Sequence, residues 1–89
     1  MTDRVYRIEV SRRAERALLA LSPAVSARIE AKIDALAHDP RPHGVKKLAG
    51  GEALYRLRVG DYRVIYQVRD RVLVVLVVEV GHRRDVYRG

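Results

Sequence analysis

The sequence has no Cys, Trp or Phe, and it contains only three Pro and one Met. Without cysteine there is neither a disulfide nor a thiolate zinc site, and the core must be built from aliphatic side chains and the five tyrosines. The sequence also lacks an apolar stretch of membrane-spanning length and the pattern of a signal peptide. A chain of 89 residues is long enough for one small core, so we expect a single domain spanning residues 1–89. We also expect the protein to lie in the cytoplasm, away from membranes.

Acidic side chains are scarce relative to basic ones, which leaves a net charge of +7 from 18 Lys and Arg against 11 Asp and Glu. The excess lies in the second half, because residues 46–89 hold ten basic and five acidic side chains, whereas residues 1–45 hold eight and six. A basic surface favours a polyanion through counterion release. Nucleic acid is therefore the first partner to consider, and an acidic protein is the second.

The first half of the sequence predicts one strand followed by two helices. Val5–Val10 alternates in the manner of a short strand. Two segments with apolar residues at helical spacing follow, each preceded by a serine suited to cap a helix: Arg12–Leu21 and Pro23–Ala37. We interpret the cations on these helices, Lys32 among them, as a solvated polar face.

The second half predicts a loop and then three strands. His38–Glu52 contains two prolines and three glycines and is predicted to be a loop with one turn around Lys46–Leu48. The strands that follow are Tyr55–Val59, Tyr62–Gln67 and Val72–Val80, the last an apolar run typical of a central strand. The fold class is therefore α+β, in the order strand-helix-helix-strand-strand-strand, with an antiparallel hairpin-rich sheet and a two-helix pair packed on one face.

The pair Gly60-Asp61 predicts a type II′ turn between the first two of these strands. That turn would place Arg58 opposite Arg63, with Arg56 on the same face and the apolar and tyrosine side chains on the other. Like charges opposed across a hairpin are destabilising, so their presence points to function. Further candidate contacts to a nucleic acid lie in the loop and the closing segment: Lys46, Lys47, His82, Arg83, Arg84 and Tyr87.

The candidate residues of the hairpin and the closing segment are mainly arginine, histidine and tyrosine. Arginines fork onto phosphate oxygens and stabilise the charge of a phosphorane, and tyrosine stacks on a base or orients a hydroxyl. This suits RNA cleavage by the neighbouring 2′-hydroxyl, in which the RNA supplies the nucleophile. We therefore expect no metal and no cofactor, and His38 and His43 lack a second ligand set at metal spacing.

The element order, together with KKLAG, YRLRVGDYRVIYQV and the closing GHRRDVY, resembles the RelE branch of the RelE/ParE superfamily of toxins from type II toxin-antitoxin pairs. This resemblance covers nearly the whole chain. It implies a ribosome-dependent endoribonuclease, an mRNA interferase, that cuts messenger RNA in the vacant A site, inhibits translation and arrests growth. It also implies a cognate antitoxin that holds the toxin inactive, and contact with operator DNA only through the toxin-antitoxin complex.

The resemblance further implies roles for individual residues. Arg56 and Arg63 would clamp the scissile phosphate, Arg83 would protonate or stabilise the leaving 5′-oxygen, and Tyr87 would stack on or orient the substrate. The expected substrate contacts beside these are Lys46, Lys47, His82 and Arg84.

Arg58 occupies a position at which a lysine has been proposed as the base in the family. A guanidinium is always charged and cannot readily accept a proton, so Arg58 is expected to act electrostatically. The base is then His82 or Glu79, or the 2′-hydroxyl is deprotonated without a full side-chain base.

Two other functions remain open on the sequence. A ParE-like toxin of the same fold would poison DNA gyrase without cleaving RNA. A pure binding module would act only with its antitoxin, as a repressor on operator DNA. The nuclease needs Arg56, Arg63, Arg83 and Tyr87 for growth arrest. If alanine at these positions leaves toxicity intact, the nuclease assignment fails.

Overall fold

A computed structural model describes residues 5–49 and 53–82 of the 89. These residues form a five-stranded sheet with two helices packed on one face, which confirms the predicted α+β class. In chain order the elements are β1 (Arg7–Val10), α1 (Arg12–Ala20), α2 (Pro23–Ala35), β2 (Lys46–Lys47), β3 (Leu54–Val59), β4 (Tyr62–Arg69) and β5 (Val74–His82). Neither helix of this described part has the length and apolar character needed to cross a membrane.

The strands lie in the order β1-β5-β4-β3-β2. β1 runs parallel to β5, from Arg7 opposite Val74 to Val10 opposite Val77, while every other pair is antiparallel. The prediction of an antiparallel sheet is therefore wrong at its first strand, because a local pattern carries no information about a partner so far along the chain. The middle strand is β4, and β5 lies in the interior between β4 and β1.

Serine caps begin both helices as predicted. Ser11 accepts a hydrogen bond from Ala14 N at 3.1 Å, and Ser22 accepts one from Val25 N at 3.4 Å. Both helices end one or two residues earlier than predicted. The backbone of Leu21 is extended, with ψ of 162°, because Ser22 must adopt the extended conformation of a cap before the next helix begins.

The β3-β4 hairpin has the predicted register, with Val59 opposite Tyr62 and Arg58 opposite Arg63. Gly60 has a φ of +59° whereas Asp61 is not in the positive-φ region, as a type II′ turn requires. The turn is short enough to fix the register of the whole pair. A shift by one residue would exchange the two faces.

The predicted turn around Lys46–Leu48 is instead a short edge strand. Lys46 pairs with Arg56, and Lys47 pairs with Tyr55. Leu48 N then donates to Leu54 O at 2.9 Å. The turn prediction is wrong because the open edge of β3 offers backbone groups that two residues of the loop can pair with.

The core lies between the helices and one face of the sheet. α1 and α2 contribute apolar residues at helical spacing, and the strands contribute every second side chain. Its fully enclosed side chains include Ile29, Leu36, Val64, Tyr66, Val75 and Val77. In the described part of the chain, the opposite face of the sheet carries no helix.

Candidate active site

Four cations converge on the sheet face that the helices leave open. Arg58 lies opposite Arg63 across the hairpin, and Lys46 lies opposite Arg56 across β2 and β3. Paired residues point to the same face and side chains alternate along a strand, so all four point away from the core. Together with Gly44 they line a groove of about 270 Å³, which we call the cationic groove.

The cationic groove brings four basic side chains together, and they differ in exposure. Arg56 and Arg63 are half-buried, whereas Lys46 and Arg58 are exposed. Arg58 Nε donates to Gly60 O at 3.4 Å, which ties this side chain to the turn. Guanidinium groups gathered on one face in this way can donate forked hydrogen bonds to the oxygens of a phosphate.

The floor of the open face is apolar. Ile65 pairs with Arg56 on β3 and with Glu79 on β5, and it is only 9% exposed although it faces away from the helices. Long side chains such as arginine cover apolar surface with their stems while the charged ends reach solvent. A ligand seated over this floor meets a lower local dielectric, which strengthens its attraction to the cations.

A β-bulge in β5 decides which side chains of that strand reach the open face. Tyr66 pairs with Val77 but Ile65 pairs with Glu79, so Val78 is the extra residue. Without the bulge, Ile65 would face Val78, and Glu79 would point into the core. The bulge therefore places a carboxylate on the same face as the arginines.

Ser11 ties this bulge to α1. Its backbone N–H donates to Val77 O at 2.8 Å, and its hydroxyl donates to Val78 O at 2.9 Å. The same hydroxyl accepts from Ala14 N as the cap of α1. One side chain thus begins a helix and satisfies a carbonyl at the irregular point of the sheet.

Two predicted contacts lie on the other side of the sheet. Lys47 pairs with Tyr55 and so points to the helix side. His82 pairs with Tyr62, and the two rings meet edge-on with centroids 5.6 Å apart, which also puts His82 on the helix side. Three predicted positions of the closing segment lie outside the described residues: Arg83, Arg84 and Tyr87.

A polar cluster at the opposite end of the sheet from the hairpin turn holds the loop that leads to the groove. Arg41 donates to both carboxylate oxygens of Asp70, at 2.7 and 3.3 Å, and through Nε to the Tyr55 hydroxyl at 2.8 Å. Tyr6 donates to the same carboxylate. The hydrogen bond to Asp70 is the main cause that raises the pKa of Arg41, and the separate hydrogen bond from Tyr6 to Asp70 is the main cause that raises the pKa of Tyr6. We call these four residues the loop latch.

Tyr66 fixes the same loop from inside the core. Its ring is fully buried and stacks on Tyr55 with centroids 5.7 Å apart, and its hydroxyl donates to Pro40 O at 2.7 Å. Burial raises the pKa of Tyr66 well above its ordinary value. The loop that leads to Lys46 is therefore anchored to the sheet through both Arg41 and Pro40.

The loop latch was not predicted from the sequence. The latch joins residues from four separate segments, and only the rigid Pro-Arg-Pro of residues 40–42 hinted that the loop is fixed. Lys32 is exposed, as expected for a solvated helix face, and it also lines a larger cleft together with His43 and Arg58. Helical spacing alone does not reveal which loop a helix faces.

The chain is similar to toxins of toxin-antitoxin pairs both in sequence and in structure. The family model described as "ParE toxin of type II toxin-antitoxin system, parDE" matches residues 8–87. Toxin RelG of Mycobacterium tuberculosis is 31% identical over 87 residues, which cover 93% of this chain and 97% of RelG.

Two solved structures have closely similar folds. The archaeal RelE-RelB complex from Pyrococcus horikoshii matches with a TM-score of 0.81 and 35% identity, covering 91% of this chain and 98% of the other. The intact E. coli RelBE toxin-antitoxin complex matches with a TM-score of 0.76 and 29% identity, covering 86% and 95%. The similarity therefore extends over the helices, the sheet and the hairpin that carries the groove.

Proposed function

This chain belongs to the ParE-toxin family within the RelE/ParE superfamily of type II toxins, and we propose that it is a ribosome-dependent endoribonuclease of the RelE type. In this proposal it enters the ribosomal A site, cuts the messenger RNA there and arrests growth by inhibiting translation. The cationic groove is the observation that carries the proposal. Its arginines lie together on one face of the sheet, and RNA phosphate is an anion that their guanidinium groups fit.

In the proposed reaction the ribose 2′-oxygen attacks the neighbouring phosphorus, and the bond to the 5′-oxygen breaks. The products are a 2′,3′-cyclic phosphate and a 5′-hydroxyl. Charge builds up on the non-bridging oxygens, where Arg56 and Arg63 donate from paired strands that need little rearrangement. Arg58 adds positive charge beside them. The RNA supplies the nucleophile, and the groove supplies the charge stabilisation without a metal.

Glu79 is the better of the two candidates for the base that removes the 2′-proton. It shares the open face with the arginines, whereas His82 pairs with Tyr62 on the helix side. A carboxylate within reach of the ribose can accept the proton that a guanidinium cannot. On the same proposal Arg83 stabilises the negative charge on the leaving 5′-oxygen, which takes up a proton from solvent. Tyr87 orients the substrate, and Lys46 and Arg84 contact the strand.

We also propose that a cognate antitoxin binds this protein and that operator DNA is met only through their complex. Two of the solved relatives are toxin-antitoxin complexes of RelE with RelB. An apolar cleft of about 260 Å³ between β1 and the two helices supports a protein partner, because Leu19 there is 80% exposed and Val10 is 40% exposed. Exposed apolar area of this kind is typical of an interaction surface.

Primer extension on a reporter messenger RNA, bound to ribosomes with an empty A site, tests the nuclease. We expect cuts at the A-site codon with the wild-type chain and a loss of about a hundredfold or more in cutting rate with Arg63→Ala. Arg69→Ala is the matched control, because Arg69 is on the same strand and face as Arg63 but at the far end, where it bonds Gln67.

Equal loss in Arg63→Ala and Arg69→Ala would contradict the role given to the groove. A folded wild-type chain that arrests growth but makes no cuts would refute the nuclease. In that case a supercoiling assay with purified DNA gyrase tests the ParE-like alternative, which the RelE and RelG relatives do not favour.

A further inference from the structure

A second and larger cleft opens beside the cationic groove. It has a volume of about 580 Å³ and lies between α2, the loop of residues 39–44 and the end of β3. Gly44 and Arg58 line both the cleft and the groove, so the two lie side by side at the edge of β3. We call this the flanking cleft.

The flanking cleft exists because β2 stops early. The register that pairs Lys46 with Arg56 would bring Gly44 opposite Arg58 if the strand continued. Gly44 instead has a φ of +96°, which turns the chain away from the sheet, and a Cβ built there would meet nothing within 4 Å. The edge of β3 is therefore open beside Arg58.

The open edge offers backbone groups as well as side chains. In a two-residue hairpin the residues next to the turn, Val59 and Tyr62, exchange backbone hydrogen bonds, so the N–H and C=O of Arg58 point away from β4. The bond from Leu48 N to Leu54 O confirms this alternation, because Leu54 is an even number of residues before Arg58. The backbone of Arg58 thus faces the flanking cleft with one donor and one acceptor.

The side chains of the flanking cleft can contact both the charged phosphate and the flat apolar base of a nucleotide. Lys32 and His43 stand with Arg58 as donors for a phosphate, and Asp39 can accept from a hydroxyl or an amine. The wall between them is apolar and includes the half-buried Leu57. The volume lies within the range of about 300–1,000 Å³ that is usual for small-molecule sites.

We propose that the flanking cleft binds the RNA nucleotide next to the scissile phosphate. Lys32 contacts the phosphate of that nucleotide, Leu57 packs against its base or ribose, and the backbone edge of Arg58 meets the polar edge of the base. Because Arg58 borders both sites, the strand passes from groove to cleft without leaving the protein surface. This inference rests on the proposed nuclease and adds a defined second site for its substrate.

The test pairs a protein change with an RNA change. Ribosome-bound messenger RNAs carry a single neutral methylphosphonate at the phosphate on the 5′ side or on the 3′ side of the scissile one, and cutting is measured at subsaturating protein. With the wild-type chain, one of these RNAs should be cut about fivefold to tenfold more slowly than unmodified RNA. Lys32→Ala should cut unmodified RNA more slowly than the wild-type chain does. In this variant the same methylphosphonate should slow cutting further by less than about twofold.

Arg16→Ala is the matched control, because Arg16 is an exposed cation on α1 that lies outside both the groove and the flanking cleft. It should retain the full sensitivity to the methylphosphonate. A methylphosphonate effect of equal size in wild type and Lys32→Ala, at both positions, would overturn the inference while leaving the nuclease intact. Absence of cutting of unmodified RNA by the wild-type chain would instead overturn the proposed function on which the inference rests.

Discussion

Replacing Ser11 by alanine removes two different contributions to stability at one atom. The hydroxyl caps α1 by accepting from Ala14 N, and loss of such a cap costs about 1 kcal/mol. The hydroxyl also donates to the carbonyl of the half-buried Val78, and a carbonyl left with one donor fewer costs about 1 kcal/mol more. We expect Ser11→Ala to lower the free energy of unfolding by about 2 kcal/mol, which corresponds to a fall of about 8–16 °C in Tm for a domain of this size.

Ser22→Ala is the matched control within the same chain. Ser22 caps α2 by accepting from Val25 N at 3.4 Å, and it is exposed. Among the hydrogen bonds between described residues, its hydroxyl makes none to the sheet. We expect this variant to lose only about 0.5 kcal/mol, at the lower end of cap substitutions. The difference between the two variants therefore measures the bond to the bulge.

Urea unfolding followed by circular dichroism gives both free energies, and the same proteins can be assayed for cutting. Because the bulge turns Glu79 to the open face, Ser11→Ala should slow cutting of ribosome-bound RNA even under conditions where it is fully folded, whereas Ser22→Ala should not. Equal losses of stability in the two variants would refute the view that Ser11 holds the bulge. A stability difference without an effect on cutting would refute the link from the bulge to Glu79.

Two further expectations concern the hairpin turn and the buried tyrosine. Gly60→Ala should lower the free energy of unfolding by about 1 kcal/mol, because φ of +59° is strained for an L-residue although nothing lies within 4 Å of the added Cβ; an unchanged urea midpoint would contradict the assigned turn. Tyr66 has a raised pKa, so above a pH of about 10 the unfolded chain releases this proton first and stability falls as the pH rises. Tyr66→Phe should make Tm fall less steeply between about pH 9 and 11. An unaltered slope would contradict a pKa of Tyr66 that is raised by burial.

The hairpin could be predicted because its information is local. Gly60-Asp61 selects the turn, the turn selects the register, and the register separates Arg58 and Arg63 from the core side chains. The helices followed from apolar spacing and two serine caps for the same reason. Each of these features depends on residues that are near one another in the sequence.

The bulge and the parallel strand could not be predicted in this way. The run from Val74 to Val80 is apolar at nearly every position, so its alternation does not reveal that the register shifts at Val78. A reader of the sequence who does not know of that shift cannot tell which face of the sheet Glu79 occupies. The pairing of β1 with β5 and the bond between Arg41 and Asp70 join distant segments, and single-sequence patterns do not report such contacts.

The strand order imposes a sequence of events on a newly made chain. β5 is the strand that pairs with both β1 and β4, yet it follows the other four strands of the described residues in the chain. Until it leaves the ribosomal exit tunnel, β1 has no neighbour, and the arginine face lacks the strand that brings Glu79 to it. Contacts between distant segments also form slowly. A chain from which β5 has not yet emerged therefore has all the residues that line the cationic groove but cannot place Glu79 beside them.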